Sequence, residues 1–136
     1  MANLIDWTSD LSVGVPSFDE EHKVLVNYIN ELHAAMTAGK GSDALGKILG
    51  DLITYTGTHF AHEEAAFAKA QYADTAAHKA KHEALVKQVL GFQAEFKAGK
   101  TTLSLTLLKF LKDWLQTHIK DEDKRYGAHL TSKGIR

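Results

Sequence analysis

The stretch HKAKH at residues 78–82 sets two imidazoles four residues apart, so His78 and His82 share one face of any helix that carries them. Leu85, Val89, Phe92 and Phe96 continue that face at steps of three and four, which turns it toward a core. The same pairing of polar and apolar positions recurs three times. His22 lies on a stripe with Phe18, Leu25, Ile29, Leu32 and Met36, while His59 and Glu63 continue Leu45, Ile48, Leu52 and Tyr55. His118 follows Leu107, Leu111 and Trp114. Five imidazoles and at least one carboxylate therefore face inward. A buried carboxylate without a partner costs several kcal/mol, against a net domain stability of about 5–15 kcal/mol. A cation that takes up the lone pairs removes that penalty.

Four amphipathic segments must position these groups. The first runs from about Phe18 to Met36, with a capping-box spacing at Ser17 and Glu20 just after Pro16, the only proline. The second runs roughly from Ser42 to Lys69, the third from an N-cap at Asp74 to KAGK at 97–100, and the fourth from near Thr101. No strand pattern is present. Four helices of about 20 residues with short connections favour an all-α, antiparallel up-down-up-down four-helix bundle. Residues 1–16 read as an N-terminal arm, 17–123 as the bundle and 124–136 as a C-terminal tail, the whole forming one domain. Gly46, Gly50, Gly57 and Gly91 fall inside helical segments at about 1 kcal/mol each relative to alanine, which marks them as expected close helix contacts.

In such a bundle the start of helix one, the end of helix two, the start of helix three and the end of helix four meet at one end. His22, His59, Glu63, His78, His82 and His118 then share a level as well as an inward direction. His33 shares the inward face of the first helix but lies three turns from His22, toward the other end.

Bulk properties exclude several alternatives. Sixteen basic and 17 acidic residues give a net charge of -1 with no basic block, which disfavours nucleic acid and an acidic membrane surface as partners. With no cysteine, disulfides and thiolate sites are impossible. No secretory signal or membrane-spanning apolar run is visible, so a cytoplasmic, monomeric protein is expected.

Imidazole and carboxylate without sulfur suit iron, manganese, zinc or copper. Five nitrogens and two or more carboxylates exceed one tetrahedral zinc and fit two bridged metals. Neither two Glu-x-x-His pairs nor HExxH is present: the residues three before His59, His78, His82 and His118 are Thr56, Thr75, Lys79 and Leu115.

The ordered set of His22 in DEEHKVLV, HFAHE at 59–63, HKAKH at 78–82 and HIKDED at 118–123 resembles the hemerythrin family, in particular its single-domain bacterial members. The likeness extends to the N-terminal segment WTSDLSVGVPSFDEEH. It implies two iron ions in an oxo- or hydroxo-bridged, non-heme di-iron centre that binds dioxygen reversibly, for carriage, storage or delivery. By the resemblance His78, His82 and His118 would ligate one iron, and His22 and His59 the other, which keeps an open position. Glu63 and Asp123 would bridge them. Leu25, Phe60, Trp114, Leu115 and Ile119 would form the oxygen pocket, where an apolar wall keeps water away.

Asp123 strains the helical argument, because five residues from His118 is about 140° off the same face of a regular helix. Asp121 or Glu122 is better placed by spacing, whereas the family pattern favours Asp123 and requires the helix to end or bulge. His62 and His129 read as surface histidines, and Glu64 and Glu83 as residues that adjoin ligands but point elsewhere, either solvated or supporting the ligands from behind. A redox sensor acting through a partner protein and a di-iron peroxidase or oxidase are the competing functions. A non-enzymatic role is expected, since no further inward acid is evident.

Overall fold

The computed structural model describes residues 4–39, 42–98 and 105–135, excepting the side chains of 42–44, 105–107 and 122. A short 3-10 turn at Ser9–Leu11 precedes α1 (Pro16–Thr37), α2 (Ser42–Ala70), α3 (Thr75–Lys97) and α4 (Leu105–Thr117). A π-helical turn, His118–Asp123, then joins α4 to α5 (Lys124–Ser132). No strand occurs among the described residues, and no helix is long and apolar enough to cross a membrane. The start of helix four near Thr101 and the glycine and lysine ending KAGK lie outside the described residues, as does the side chain of Leu107.

Helix α1 begins earlier than its expected capping box. Pro16 occupies the first helical position, where its fixed φ fits and its missing N–H costs nothing. Ser17 and Glu20 therefore lie inside the helix. The Asp19 carboxylate takes the anchoring role instead, accepting hydrogen bonds from the Val13 N–H at 2.8 Å and the Ser12 hydroxyl at 2.6 Å. Gly39, at φ 70°, terminates α1 in the left-handed conformation that glycine adopts without steric cost. Asp74 precedes α3 as expected but makes no side-chain cap bond.

Helix α1 packs along α2, α2 along α3, and α4 against α1. The core runs through Phe18, Leu25, Val26, Ile29 and Leu32 of α1, Leu49, Leu52, Phe60 and Phe67 of α2, Leu85 and Val89 of α3, and Leu108, Leu111 and Leu115 of α4. On α2 the expected positions Leu52, His59 and Glu63 are buried, Leu45, Ile48 and Tyr55 are partly buried against the core, and Leu49 adds a buried position beside them. His33 is half-buried rather than inward, because Leu32 takes the core position.

Both chain ends are tied to the bundle. The Asn30 side-chain amide pairs with both backbone groups of Ile5, each at 2.8 Å, and Ile5, Leu11, Val13 and Val15 are buried. The expected tail is in fact α5, which buries Tyr126, Gly127 and Leu130. Arm and α5 touch at one point: a Cβ on Gly127 would lie 1.9 Å from the Val13 carbonyl oxygen.

The internal glycines divide. At Gly46 a Cβ would meet the Phe96 ring at 3.3 Å, a close helix contact. At Gly50 the nearest atom is an ordinary 3.8 Å away, and Gly57 and Gly91 are exposed with nothing within 4 Å, so the expectation of close contact fails there. Gly57→Ala and Gly91→Ala should each raise stability by up to about 1 kcal/mol in denaturant titrations, since only helix propensity changes. Gly127→Ala should lower it by about 1–3 kcal/mol, because rigid backbone must move.

Candidate metal centre

The four helix ends meet in one buried polar layer. His22 from α1, His59 and Glu63 from α2, His78 and His82 from α3, and His118 and Asp123 from the π-turn are each 5% exposed or less. The spacing difficulty at Asp123 is resolved by the backbone. A π-turn closes i→i+5, so the residue five after His118 returns to the same face. Asp123 is 1% exposed within the layer and Asp121 is at the surface.

Each carboxylate divides its oxygens between two sets of imidazoles. Glu63 Oε2 lies 3.6 Å from His22 Nε2 and 3.5 Å from His59 Nε2, while its Oε1 faces His82 Nε2 at 3.2 Å and His78 Nε2 at 3.8 Å. Asp123 Oδ2 faces His22 Nε2 at 3.1 Å, and its Oδ1 faces the Nε2 atoms of His78 and His118 at 3.0 Å each. The ligand atoms of Glu63, His78, His82, His118 and Asp123 lie within 4.8 Å of one another, and so do those of His22, His59 and Glu63.

Hydrogen bonding leaves this layer incomplete. His22 Nδ1 and Nε2, Glu63 Oε1 and Asp123 Oδ1 are buried and have no aligned hydrogen-bond partner, although carboxylate oxygens stand at ion-pair distance from Nε2. The Nε2 atoms of His82 and His78 each lie 3.2 Å from His118 Nε2. Lone pairs converging on one point, with unsatisfied carboxylate oxygens beside them, form a donor set that a hard or borderline cation completes. The residues present fit a metal site built from imidazoles and carboxylates.

Burial opposes charge on His22 and His78, but Asp123 and Glu63 outweigh it and raise both imidazoles to about 9. Burial likewise works against the two carboxylates. Surrounding imidazoles prevail and hold both well below the ordinary carboxylate range, although the Glu63 charge opposes ionisation of Asp123. Both acids therefore remain anionic at neutral pH.

Three supports stand behind the layer that spacing alone did not reveal. Glu21, one residue before His22, accepts from His59 Nδ1 at 2.5 Å and from His62 Nδ1 at 2.6 Å. Glu64 Oε2 lies 3.1 Å from His82 Nδ1, so of its two expected readings it takes the one that supports a layer histidine from behind. Tyr126 donates its hydroxyl proton to Glu63 Oε2. Burial, then the charges of Asp123 and Glu63, push the Tyr126 phenol well above its usual range and keep it a donor. The signal for the two glutamates was available, since ring nitrogens facing away from a metal commonly meet carboxylates. Tyr126 gave none, being on a segment read only as a C-terminal tail. His62 is exposed as expected, His129 is half-buried with Nε2 bonded to the Ala70 carbonyl at 2.8 Å, and Glu83 is exposed.

One helical turn inward lies an apolar cavity of about 40 Å³. Leu25, Thr56, Leu85 and Leu115, each three residues from a layer histidine, line it together with Phe60, Trp114 and six other residues. Phe60 stacks on His82 at 3.6 Å between ring centroids, and Trp114 stacks on His118 at 4.3 Å. Four of the five expected pocket residues thus line the cavity. Ile119 is fully buried but does not line it.

The family model for the hemerythrin HHE cation binding domain matches residues 13–130. The bacteriohemerythrin of Methylococcus capsulatus is 38% identical over 130 residues, covering 95% of this chain and 98% of that protein. That of Stenotrophomonas maltophilia is 35% identical, covering 93% of this chain and 84% of its own length. A crystal structure of wild-type hemerythrin superposes with a TM-score of 0.88 at 38% identity, covering 94% of this chain and 98% of that one. A match running from the arm to α5, with relatives this similar over nearly their whole length, makes the chain a member of the hemerythrin family.

Proposed function

We propose that the protein binds dioxygen reversibly at a di-iron centre, as a carrier, store or delivery protein. The division of the carboxylate oxygens carries this reading. One half of the layer offers three imidazole nitrogens with Glu63 Oε1 and Asp123 Oδ1; the other offers two with Glu63 Oε2 and Asp123 Oδ2. In this assignment Glu63 and Asp123 would be shared between two irons, His78, His82 and His118 would hold one of them, and His22 and His59 would hold the other with fewer protein donors. Two bound ferrous ions would supply the two electrons needed to take up dioxygen and would recover them on its release.

The chain's own residues prepare and protect that chemistry. Tyr126 restrains Glu63, and Glu21 and Glu64 fix the tautomers of His59 and His82 so that Nε2 faces the centre. Leu25, Leu85 and Leu115 with Phe60 and Trp114 keep water and protons from the neighbouring layer. The cavity lining contains no acid, base or amine, which favours binding over acid–base catalysis.

The purified protein, reduced under argon and then exposed to air, should develop a visible band that disappears when oxygen is removed. A protein that never colours, or that consumes oxygen continuously, overturns the proposal. Leu115→Asn should retain iron but shorten the lifetime of the coloured form, because the cavity becomes wettable.

Iron loading should also depend on pH. Imidazoles raised to about 9 hold protons at neutral pH, and a ligating Nε2 must be free of its proton. Protons therefore compete with the cation, and the competition strengthens as pH falls below about 9. Ferrous loading at pH 7 should release protons in an indicator assay, with apparent affinity rising toward pH 9.

A further inference from the structure

The two halves of the layer are supported unequally. In the three-histidine half, His82 meets Glu64 at Nδ1 and stacks face to face on Phe60, and His118 stacks on Trp114 with 13° between the ring planes. In the other half, His22 Nδ1 is buried without a hydrogen-bond partner. His59 is therefore the one ring of that half held from behind by hydrogen bonding.

Its holder is Glu21. On α1 the residue projects toward α2, where His59 and His62 stand three apart and present Nδ1 to separate oxygens of the same carboxylate. Phe18, one turn earlier, sets its edge against both rings, with centroids 6.1 Å and 4.8 Å away at interplanar angles of 83° and 72°. The carboxylate is thus fixed at both oxygens. A carboxylate acceptor makes a stronger hydrogen bond than a neutral one and binds the His59 proton at Nδ1, leaving the Nε2 lone pair for a cation.

We infer that Glu21 is the positioning residue that retains the cation of the two-histidine half, by clamping His59 between α1 and α2. The inference rests on the di-iron reading above and says which iron this chain holds by the narrower support. Loss of the clamp frees the ring to turn and leaves that iron with one restrained nitrogen fewer. The three-histidine half keeps all of its donors and both of its stacked rings.

The test is iron release from the reduced, iron-loaded full-length protein, challenged with a ferrous chelator under argon. Wild type should hold two irons and lose both slowly. Glu21→Ala should release one iron about 10- to 100-fold faster, the range typical for residues that orient metal ligands, with the second leaving at the wild-type rate. Glu21→Gln keeps one acceptor on the same stem and should restore part of the slow release, whereas Glu21→Leu, which fills the space without an acceptor, should release one iron as fast as Glu21→Ala. Glu64→Ala, acting behind the other half, should not produce the fast single-iron phase. Equal acceleration of both irons in Glu21→Ala, no acceleration, or a fast single-iron phase in Glu64→Ala alone overturns the inference. A wild type that holds fewer than two irons defeats the di-iron reading itself and this inference with it.

Discussion

Two carboxylates and five imidazoles are buried at one level of an otherwise apolar bundle, and their hydrogen bonds do not close. Such an arrangement is costly in a low-dielectric interior unless something takes up the free lone pairs. The neighbouring structure is organised around that requirement. Helices bring the groups together from four directions, and the arm and α5 cover the layer. Outside it, Glu21 and Glu64 meet the Nδ1 sides of His59 and His82, and Tyr126 donates a hydrogen bond to Glu63. A layer so dependent on a cation couples folding of this end of the bundle to metal loading.

The layer differs from the apolar one directly beneath it. Leu25, Thr56, Leu85 and Leu115 stand one turn from His22, His59, His82 and His118, so each helix passes from ligand to cavity wall within three residues. The Thr56 hydroxyl donates to the Leu52 carbonyl at 2.7 Å, so the polar group on the wall is already satisfied. Juxtaposing a charged layer with a dry cavity keeps the local dielectric low, which strengthens the electrostatics of the centre and excludes bulk water. Phe60 and Trp114 belong to both layers, lining the cavity and stacking on histidines.

The end of α4 shows how function overrides regular geometry. A standard helix sends the residue five after His118 away from its face, and the chain accepts a π-turn to bring Asp123 back. The turn leads directly into α5, where Tyr126 reaches Glu63 and Gly127 lies against the arm. One local irregularity therefore places a carboxylate in the layer, a phenol on the other carboxylate, and a glycine where backbone approaches closely.

The amphipathic rhythm of the chain determined the four long helices, their antiparallel order and the level at which His22, His59, Glu63, His78, His82 and His118 meet. It could do so because position along a helix and direction around it are both local properties of the 3.6-residue repeat. What depends on contacts between distant segments was decided by tertiary structure. Helical periodicity argues against Asp123, and only the π-turn puts it with His22 and His78. Tyr126 and Gly127 belong to a helix of only nine residues, too short to stand without the bundle it packs against. Glu21 stands beside His22 in the sequence yet serves His59 on the next helix. The deeper burial of Leu49 than of Ile48 on α2, and the openness around Gly57 and Gly91, likewise follow from how the helices lie against one another. A single helix specifies which of its residues share a face; which face is covered, and by what, is settled by its neighbours.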